Sequence, residues 1–180
     1  MPILHIDLDG VVADWVAGCA KIIGRRIEDP HVYCTDEEWE LMRRQGRFFR
    51  DLPKMPSADT LIAVARKFRD ELGYGLVFLT AIPHKNDVPW TFHDKMMWAK
   101  ERYEDIPVHF GPYSHDKYMH CTGPEDILVD DRSDNCMSWA QAGGTAIIMS
   151  SNPAHYNDAT TALNQLFLKK LTEFNNDDQH

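Results

Sequence analysis

The chain has 180 residues, 43% of them hydrophobic and 11% aromatic, which is enough for one domain with a real core and argues against disorder. Its formal net charge of −9 excludes a general attraction to polyanions, because the arginines at 43–50 are flanked by acidic residues and form no basic patch. We therefore expect no nucleic acid polymer as a partner, whereas one small phosphate ester remains possible.

The first predicted strand ends in a pair of acidic residues. An apolar run, Ile3 to Ile6, leads into Asp7 and Asp9, and Gly10 follows at once. Alternate residues of a strand face the same way, so the two carboxylates point to one side. At a near-surface dielectric constant they repel by roughly 4 kcal/mol, which a cation or a proton must offset. An ordinary turn is an alternative reading. An EF-hand loop has glycine at position six and glutamate at position twelve. Counted from Asp7, this chain has Gly10 at position four and Gly18 at position twelve, so an EF-hand is excluded.

Helical and strand patterns alternate along the rest of the chain. Periodic apolar residues predict helices at 13–23, 36–45, 57–72, 90–103, 133–142 and 156–174. Short apolar runs predict strands at 76–80, 107–110, 127–129 and 145–149, with polar loops at 83–89 and 111–117. Ser57 and Ser133 are expected to cap helices, and Gly73 to end one. Residues 24–56 have no regular period and are predicted to be an insertion around one short helix.

This alternation predicts an α/β fold of three layers, in which helices cover both faces of a parallel, Rossmann-like sheet. We assign residues 1–23 and 57–180 to the core and residues 24–56 to a small helical cap inserted after the first strand. Ligands of such sheets bind beyond the carboxyl ends of the strands. Asp7, Asp9, Thr80, Asp130 and Asp131 stand at strand ends, so we expect these side chains to converge.

Cysteine spacing and the N-terminal sequence bear on metal binding and location. The four cysteines, Cys19, Cys34, Cys121 and Cys136, lack a zinc-binding spacing, and Cys19 and Cys136 are expected to be buried thiols. The N-terminal segment does not have the pattern of a signal peptide, and no apolar run has the length that spans a bilayer. We therefore expect a cytoplasmic protein that does not interact with membranes.

In chain order, the strand-end and loop residues resemble the four motifs of the haloacid-dehalogenase-like phosphatases. The matching residues are Asp7 with Asp9, Thr80, Lys117, and Asp130 with Asp131. Within that superfamily the chain is similar to the 5′(3′)-deoxyribonucleotidases up to about Met149, with the best agreement at 7–15, 46–52, 78–83 and 127–132. The resemblance implies a hydrolase of phosphoric monoesters, of the 5′-nucleotidase type, that acts on deoxyribonucleoside monophosphates.

The resemblance also implies how the carboxylates share the chemistry. Asp7 would be the nucleophile that forms an aspartyl-phosphate, and Asp9 the general acid and base. The cofactor would be Mg²⁺, which prefers oxygen ligands. Its ligands would be the Asp7 carboxylate, the Asp9 backbone carbonyl and Asp131, with Asp130 supporting Asp131.

Other residues would bind the substrate by the same resemblance. Thr80, the backbone amides at Ala81, and Lys117 would hold the phosphoryl group. Trp15 and the aromatic pair Phe48–Phe49 would stack on the nucleobase. The two phenylalanines are equally explained as core residues of the insertion.

Two positions depart from the family pattern, and two other functions stay open. His115 stands where the animal enzymes have an arginine, and Ala81 replaces a serine, so phosphate affinity and pH dependence are in question. The first alternative is a phosphatase of sugar phosphates or other small metabolites. The second is a non-catalytic phosphate-binding or regulatory module, against which the retained Asp9 argues. The sequence leaves the oligomeric state open.

Overall fold

A computed structural model describes residues 1–25, 27, 34–83 and 88–177. The described strands are β1 (Ile3–Ile6), β2 (Gly75–Thr80), β3 (Val108–Phe110), β4 (Ile127–Asp130) and β5 (Thr145–Ile148). The described α-helices are α1 (Trp15–Ile23), α2 (Asp36–Arg44), α3 (Ala58–Leu72), α4 (Thr91–Arg102), α5 (Ser133–Gln141) and α6 (Asp158–Asp177). Short 3₁₀ helices lie at Ser114–His120 and Pro153–His155. Parts of the predicted insertion, of the predicted loop at 83–89 and of the C-terminal tail lie outside the described residues.

The described strands form one parallel sheet in the order β3–β2–β1–β4–β5, which confirms the predicted α/β class. The chain moves outward from β1 to β3 and then crosses back to β4, so the strand order reverses between β1 and β4. In open parallel sheets the ligand crevice lies at such a switch point, beyond the carboxyl ends of the strands. Asp7 follows β1 directly and Asp130 ends β4, so these two residues flank the crevice.

Helices cover both faces of the sheet. α3 and α6 pack together on one face, and α5 packs with the 3₁₀ helix Ser114–His120 on the other. Side chains of β1 alternate between the two layers: Leu4 and Ile6 belong to the larger hydrophobic core, whereas His5 contacts Trp139 of the smaller one. None of the described helices combines the length and apolarity needed to cross a membrane.

Several boundaries differ from the sequence prediction for local reasons. α1 begins two residues later than expected, because Asp14 caps it and accepts a 2.8 Å hydrogen bond from the backbone N–H of Ala17. The predicted loop before Lys117 contains part of a 3₁₀ helix, which gives this lysine a fixed position. Within the described chain the Ser57 side chain makes no capping hydrogen bond, and Ser133 is the first residue of α5 rather than its cap.

The end of the predicted insertion is hydrogen-bonded to the turn after β1. The backbone N–H of Asp14 donates to the Pro53 carbonyl (2.8 Å), and that of Met55 donates to the Val12 carbonyl (2.9 Å). The aromatic pair Phe48–Phe49 is buried in the same hydrophobic core as β1. The returning chain therefore runs beside the turn that follows β1.

His5 is expected to make the stability of the fold depend on pH. Burial beside Trp139 lowers the pKa of its imidazole from 6.5 to about 4. The unfolded chain therefore binds more protons than the folded chain between these values, and stability falls as the pH drops through this window. From pH 7 to pH 5 the free energy of unfolding should fall about 2 kcal/mol less in His5→Leu than in the parent chain. Denaturant unfolding at both pH values measures the difference, and an equal fall in the two proteins would contradict it.

Candidate active site

A tight turn after β1 carries Asp7 and Asp9 to the carboxyl edge of the sheet. The Leu8 carbonyl accepts hydrogen bonds from the backbone N–H groups of Val12 and Ala13 (3.0 and 2.7 Å), which closes the turn. Gly10 adopts a φ of +77°, a backbone conformation that favours glycine. A Cβ at this position would lie 2.3 Å from Oδ2 of Asp131. Glycine is therefore required both by the turn and by the close approach of that carboxylate.

Lys117 joins two of the predicted motif residues. Its ammonium Nζ lies 2.8 Å from Oδ2 of Asp7 and 2.7 Å from Oδ2 of Asp130, and all three side chains are buried. Burial disfavours the charged ammonium, but the carboxylates of Asp130 and Asp7 outweigh this effect and raise the pKa of Lys117. The lysine therefore stays cationic and holds Asp7 in place.

Asp130 and Asp131 are adjacent in sequence but differ in their partners. Besides Lys117, Asp130 accepts hydrogen bonds from the Asn135 side-chain amide (2.9 and 3.0 Å) and from the backbone N–H of Arg132 (2.9 Å). The described residues offer the Asp131 carboxylate no hydrogen bond, and burial together with the charges of Asp7 and Asp130 raises its pKa well above the usual value. Protein donors thus occupy both oxygens of Asp130, whereas the oxygens of Asp131 accept no hydrogen bond from the described residues.

The acidic cluster fits a divalent cation. One carboxylate oxygen from each of Asp7, Asp130 and Asp131 lies within 4.8 Å of the other two. Burial raises the pKa of Asp7 to about 7, with Lys117 opposing the shift and Asp130 and Asp9 adding to it. Only one ammonium serves three carboxyl groups, so the raised pKa values of Asp7 and Asp131 reflect a shortage of positive charge that a divalent cation would relieve. Hard oxygen donors are what Mg²⁺ prefers.

A second buried lysine, Lys95 of α4, reaches the same edge of the sheet. Its Nζ lies 2.5 Å from Oδ2 of Asp9 and donates to the Thr80 hydroxyl (3.0 Å) and to the Ala81 carbonyl (2.6 Å). The same ammonium lies 4.6 Å from the centre of the Phe49 ring, a cation–π contact. Lys95 therefore connects the second carboxylate of the turn after β1 to the end of β2.

Lys95 and Asn135 were not among the site residues predicted from the sequence. Lys95 shares the buried face of α4 with Thr91 and Trp98, and a lysine on a buried face needs an anionic partner, but the sequence alone does not show that this face is buried. Asn135 gave no comparable signal, since a polar residue in the first turn of a helix is ordinary.

The residues expected to contact a nucleobase lie in different surroundings. Trp15 is half-buried and its ring centre lies 6.3 Å from that of Trp39. The pair Phe48–Phe49 is packed into the core, with the two rings edge to face at 4.9 Å, so neither ring presents a face to solvent. His115, at the position of the family arginine, is exposed, stacks on Tyr113 and lies 3.4 Å from Asp116.

Comparison with known proteins gives the fold its name. Three solved structures resemble the chain over most of their length. A family IA, variant 3 hydrolase of the haloacid dehalogenase (HAD) type from Entamoeba histolytica is 12% identical, with a TM-score of 0.50 over 85% of this chain and 86% of that one. A HAD family hydrolase from Deinococcus radiodurans, solved with phosphate and sodium, is 14% identical, with a TM-score of 0.50 over 91% and 88%.

An L-2-haloacid dehalogenase is 15% identical, with a TM-score of 0.52 over 87% of each chain. No protein-family model matches the chain, and no curated protein matches it in sequence. The chain has the fold of the haloacid-dehalogenase-like hydrolases. At these identities the likeness concerns the fold alone, so the chemistry must be argued from the site.

Removal of Lys117 should destabilise the fold through the charges that it leaves behind. In Lys117→Met, Asp7 and Asp130 lose their shared buried cation, which should lower the free energy of unfolding by about 3–5 kcal/mol. Adding Asp130→Asn removes one of these charges, so the double variant should be more stable than Lys117→Met alone. Denaturant unfolding in EDTA at pH 7 measures both. If the loss of unfolding free energy in the double variant equalled the sum of the losses in Lys117→Met and Asp130→Asn, the charges would not be coupled and the prediction would be wrong.

Proposed function

We propose that this chain is a Mg²⁺-dependent phosphomonoesterase that transfers the phosphoryl group to Asp7. The observation that carries the proposal is the contact of Asp7 with the buried ammonium of Lys117, beside an Asp131 carboxylate without a hydrogen-bond partner among the described residues. This arrangement stands at the switch point of a haloacid-dehalogenase-like sheet, the usual ligand position of the fold.

Asp7 and Asp131 would hold the metal ion, together with the backbone carbonyl of Asp9. The saturation of Asp130 by Lys117 and Asn135 supports Asp131 as the direct ligand and Asp130 as the residue that fixes the cluster. When bound, Mg²⁺ supplies the positive charge that lets an anionic carboxylate approach a phosphate dianion.

Asp7 and Asp9 would divide the two chemical steps between them. In the first step an Asp7 oxygen forms a bond to phosphorus while the bond from phosphorus to the ester oxygen breaks, and Asp9 donates a proton to that oxygen. In the second step water attacks the phosphorus of the aspartyl-phosphate, Asp9 accepts the proton, and the Asp7 carboxylate is regenerated. Atoms and protons balance over the cycle, which consumes one water for each phosphate released.

The contacts of Asp9 support its role as the acid and base. Lys95 occupies Oδ2, whereas Oδ1 has no hydrogen-bond partner among the described residues. The carboxylate is thus held in one orientation with one oxygen left for the proton. Lys95 and Lys117 also bring two fixed positive charges to the position where phosphoryl oxygens gain negative charge.

For the substrate we infer a small phosphorylated molecule, and specifically a deoxyribonucleoside monophosphate. The support for the specific substrate is the sequence resemblance to the 5′(3′)-deoxyribonucleotidases at 7–15, 46–52, 78–83 and 127–132. Sugar phosphates remain the second candidate, since the buried pair Phe48–Phe49 offers no stacking surface. A non-catalytic phosphate-binding module would have no use for the Lys95–Asp9 contact.

Replacement of the nucleophile tests the proposed function. Asp7→Asn should lower turnover of deoxyribonucleoside monophosphates by at least about a thousandfold, because an amide cannot form the phosphoryl intermediate. EDTA should abolish the parental activity and Mg²⁺ should restore it. Asp70→Asn, which changes an exposed carboxylate of α3, is the matched control and should keep parental activity.

Steady-state phosphate release measures these rates, with circular dichroism to check the fold. Parental turnover by Asp7→Asn would disprove the mechanism. Absence of turnover across nucleotides and sugar phosphates, with retained binding of inorganic phosphate, would favour the regulatory module instead.

Replacement of the acid should discriminate between leaving groups. Asp9→Asn cannot protonate the ester oxygen, so it should slow hydrolysis of the alkyl ester deoxyribose 5-phosphate by about a hundredfold or more. The aryl ester p-nitrophenyl phosphate releases a stable phenolate and should be slowed much less. Comparison of kcat for the two esters in parent and variant measures this. Equal losses on both esters would assign Asp9 a positioning role rather than proton transfer.

A further inference from the structure

A mainly apolar pocket of about 350 Å³ opens beside the candidate active site. Among the described residues, Ile82, Pro83 and Val88 form one part of its wall, and Trp90 with the first residues of α4, including Phe92, forms another. Its volume is in the range of pockets that bind small organic molecules. None of its lining residues in the described part of the chain takes part in the phosphoryl chemistry proposed above.

The pocket wall begins two residues after the end of β2, where the proposed phosphate-binding residues Thr80 and Ala81 lie. Ile82 is the residue after Ala81, whose carbonyl accepts a hydrogen bond from Lys95. Thr91, in the pocket wall, precedes Lys95 by one helical turn and so shares its helix face. The pocket therefore adjoins the part of α4 that carries the contact between Lys95 and Asp9, where the proposed acid would protonate the leaving group.

Trp90 is the unusual residue of this pocket. Its side chain is 73% exposed, although tryptophan contributes most to stability when buried. Its backbone adopts a φ of +64°, which is rare for a bulky residue. Strained backbone at bulky residues is concentrated at ligand sites. Phe92 is exposed over nearly half of its surface and lies against Phe110, with ring centres 4.6 Å apart.

We propose that this pocket binds a planar aromatic part of the substrate's leaving group, as a nucleobase would provide, with Trp90 as the stacking surface. The proposal rests on the proposed function and adds a base-stacking residue to the half-buried Trp15, because the Phe48–Phe49 pair is buried in the core. An exposed indole and a neighbouring phenyl ring offer flat apolar faces, and stacking on such faces tolerates different bases.

A matched pair of substrates tests the proposal kinetically. Thymidine 5′-monophosphate and deoxyribose 5-phosphate present the same kind of ester and differ by the base. The kcat/KM for thymidine 5′-monophosphate divided by that for deoxyribose 5-phosphate should fall by about fivefold to a hundredfold in Trp90→Ala. Trp90→Phe, which keeps an aromatic ring, should retain most of the parental ratio. Met96→Ala, which removes another exposed apolar side chain of α4 outside the pocket, should leave the ratio unchanged.

An unchanged ratio in Trp90→Ala would overturn the pocket proposal while the phosphatase function stands. The pocket proposal would also be overturned if Trp90→Ala lowered the Tm much more than Met96→Ala does, because Trp90 would then be a packing residue. If the parent hydrolyses neither ester, the proposed function fails, and binding alone decides the pocket.

Binding is measured with thymidine, which carries the base without phosphate. The indole N–H signal of Trp90, assigned by its loss in Trp90→Phe, should shift when millimolar thymidine is added and should not follow inorganic phosphate. A shift confined to Trp15, or no indole shift at all, would place the base elsewhere and overturn the inference.

Discussion

The candidate site depends on the buried ammonium that Lys117 places among three carboxyl groups. This ammonium contacts Asp7 and Asp130, but it cannot neutralise Asp131 as well. The ammonium of Lys117 therefore stabilises Asp7 and Asp130, but the three carboxyl groups together still lack positive charge. A cluster of this kind favours the binding of a further cation, and the cation in turn attracts a phosphate dianion. The proposed chemistry follows from this residual charge.

The sheet explains why these charges meet. β1 and β4 are neighbours and run parallel, so the residues after their last paired positions, Ile6 and Val129, emerge at the same edge. Gly10 then allows the turn after β1 to lie against Asp131 without a side chain in between. Lys117 and Lys95 approach from elements on opposite sides of this edge. The fold contributes proximity, and a few residues at strand ends contribute the chemistry.

The sequence predicted the parallel α/β fold and the strand-end carboxylates, because strand direction alone brings Asp7, Asp130 and Asp131 together. It did not predict Lys95, since which face of α4 turns toward the site is decided by tertiary packing. The burial of Phe48–Phe49 also depends on how the insertion packs onto the core. Side chains directed by strands were therefore predictable from local pattern, whereas side chains directed by helices and by the insertion were not.

The chain leaves the turn after β1 at Asp14 and returns beside it at Pro53 and Met55, just before the end of the predicted insertion at 24–56. Backbone hydrogen bonds from Asp14 to Pro53 and from Met55 to Val12 hold the two passes of the chain together. Main-chain bonds do not depend on which side chains the segment carries. A segment of another length or composition can therefore replace the residues between these hydrogen bonds while the carboxylates keep their positions. Evolution can therefore alter which molecules enter the crevice without moving the carboxylates at its edge.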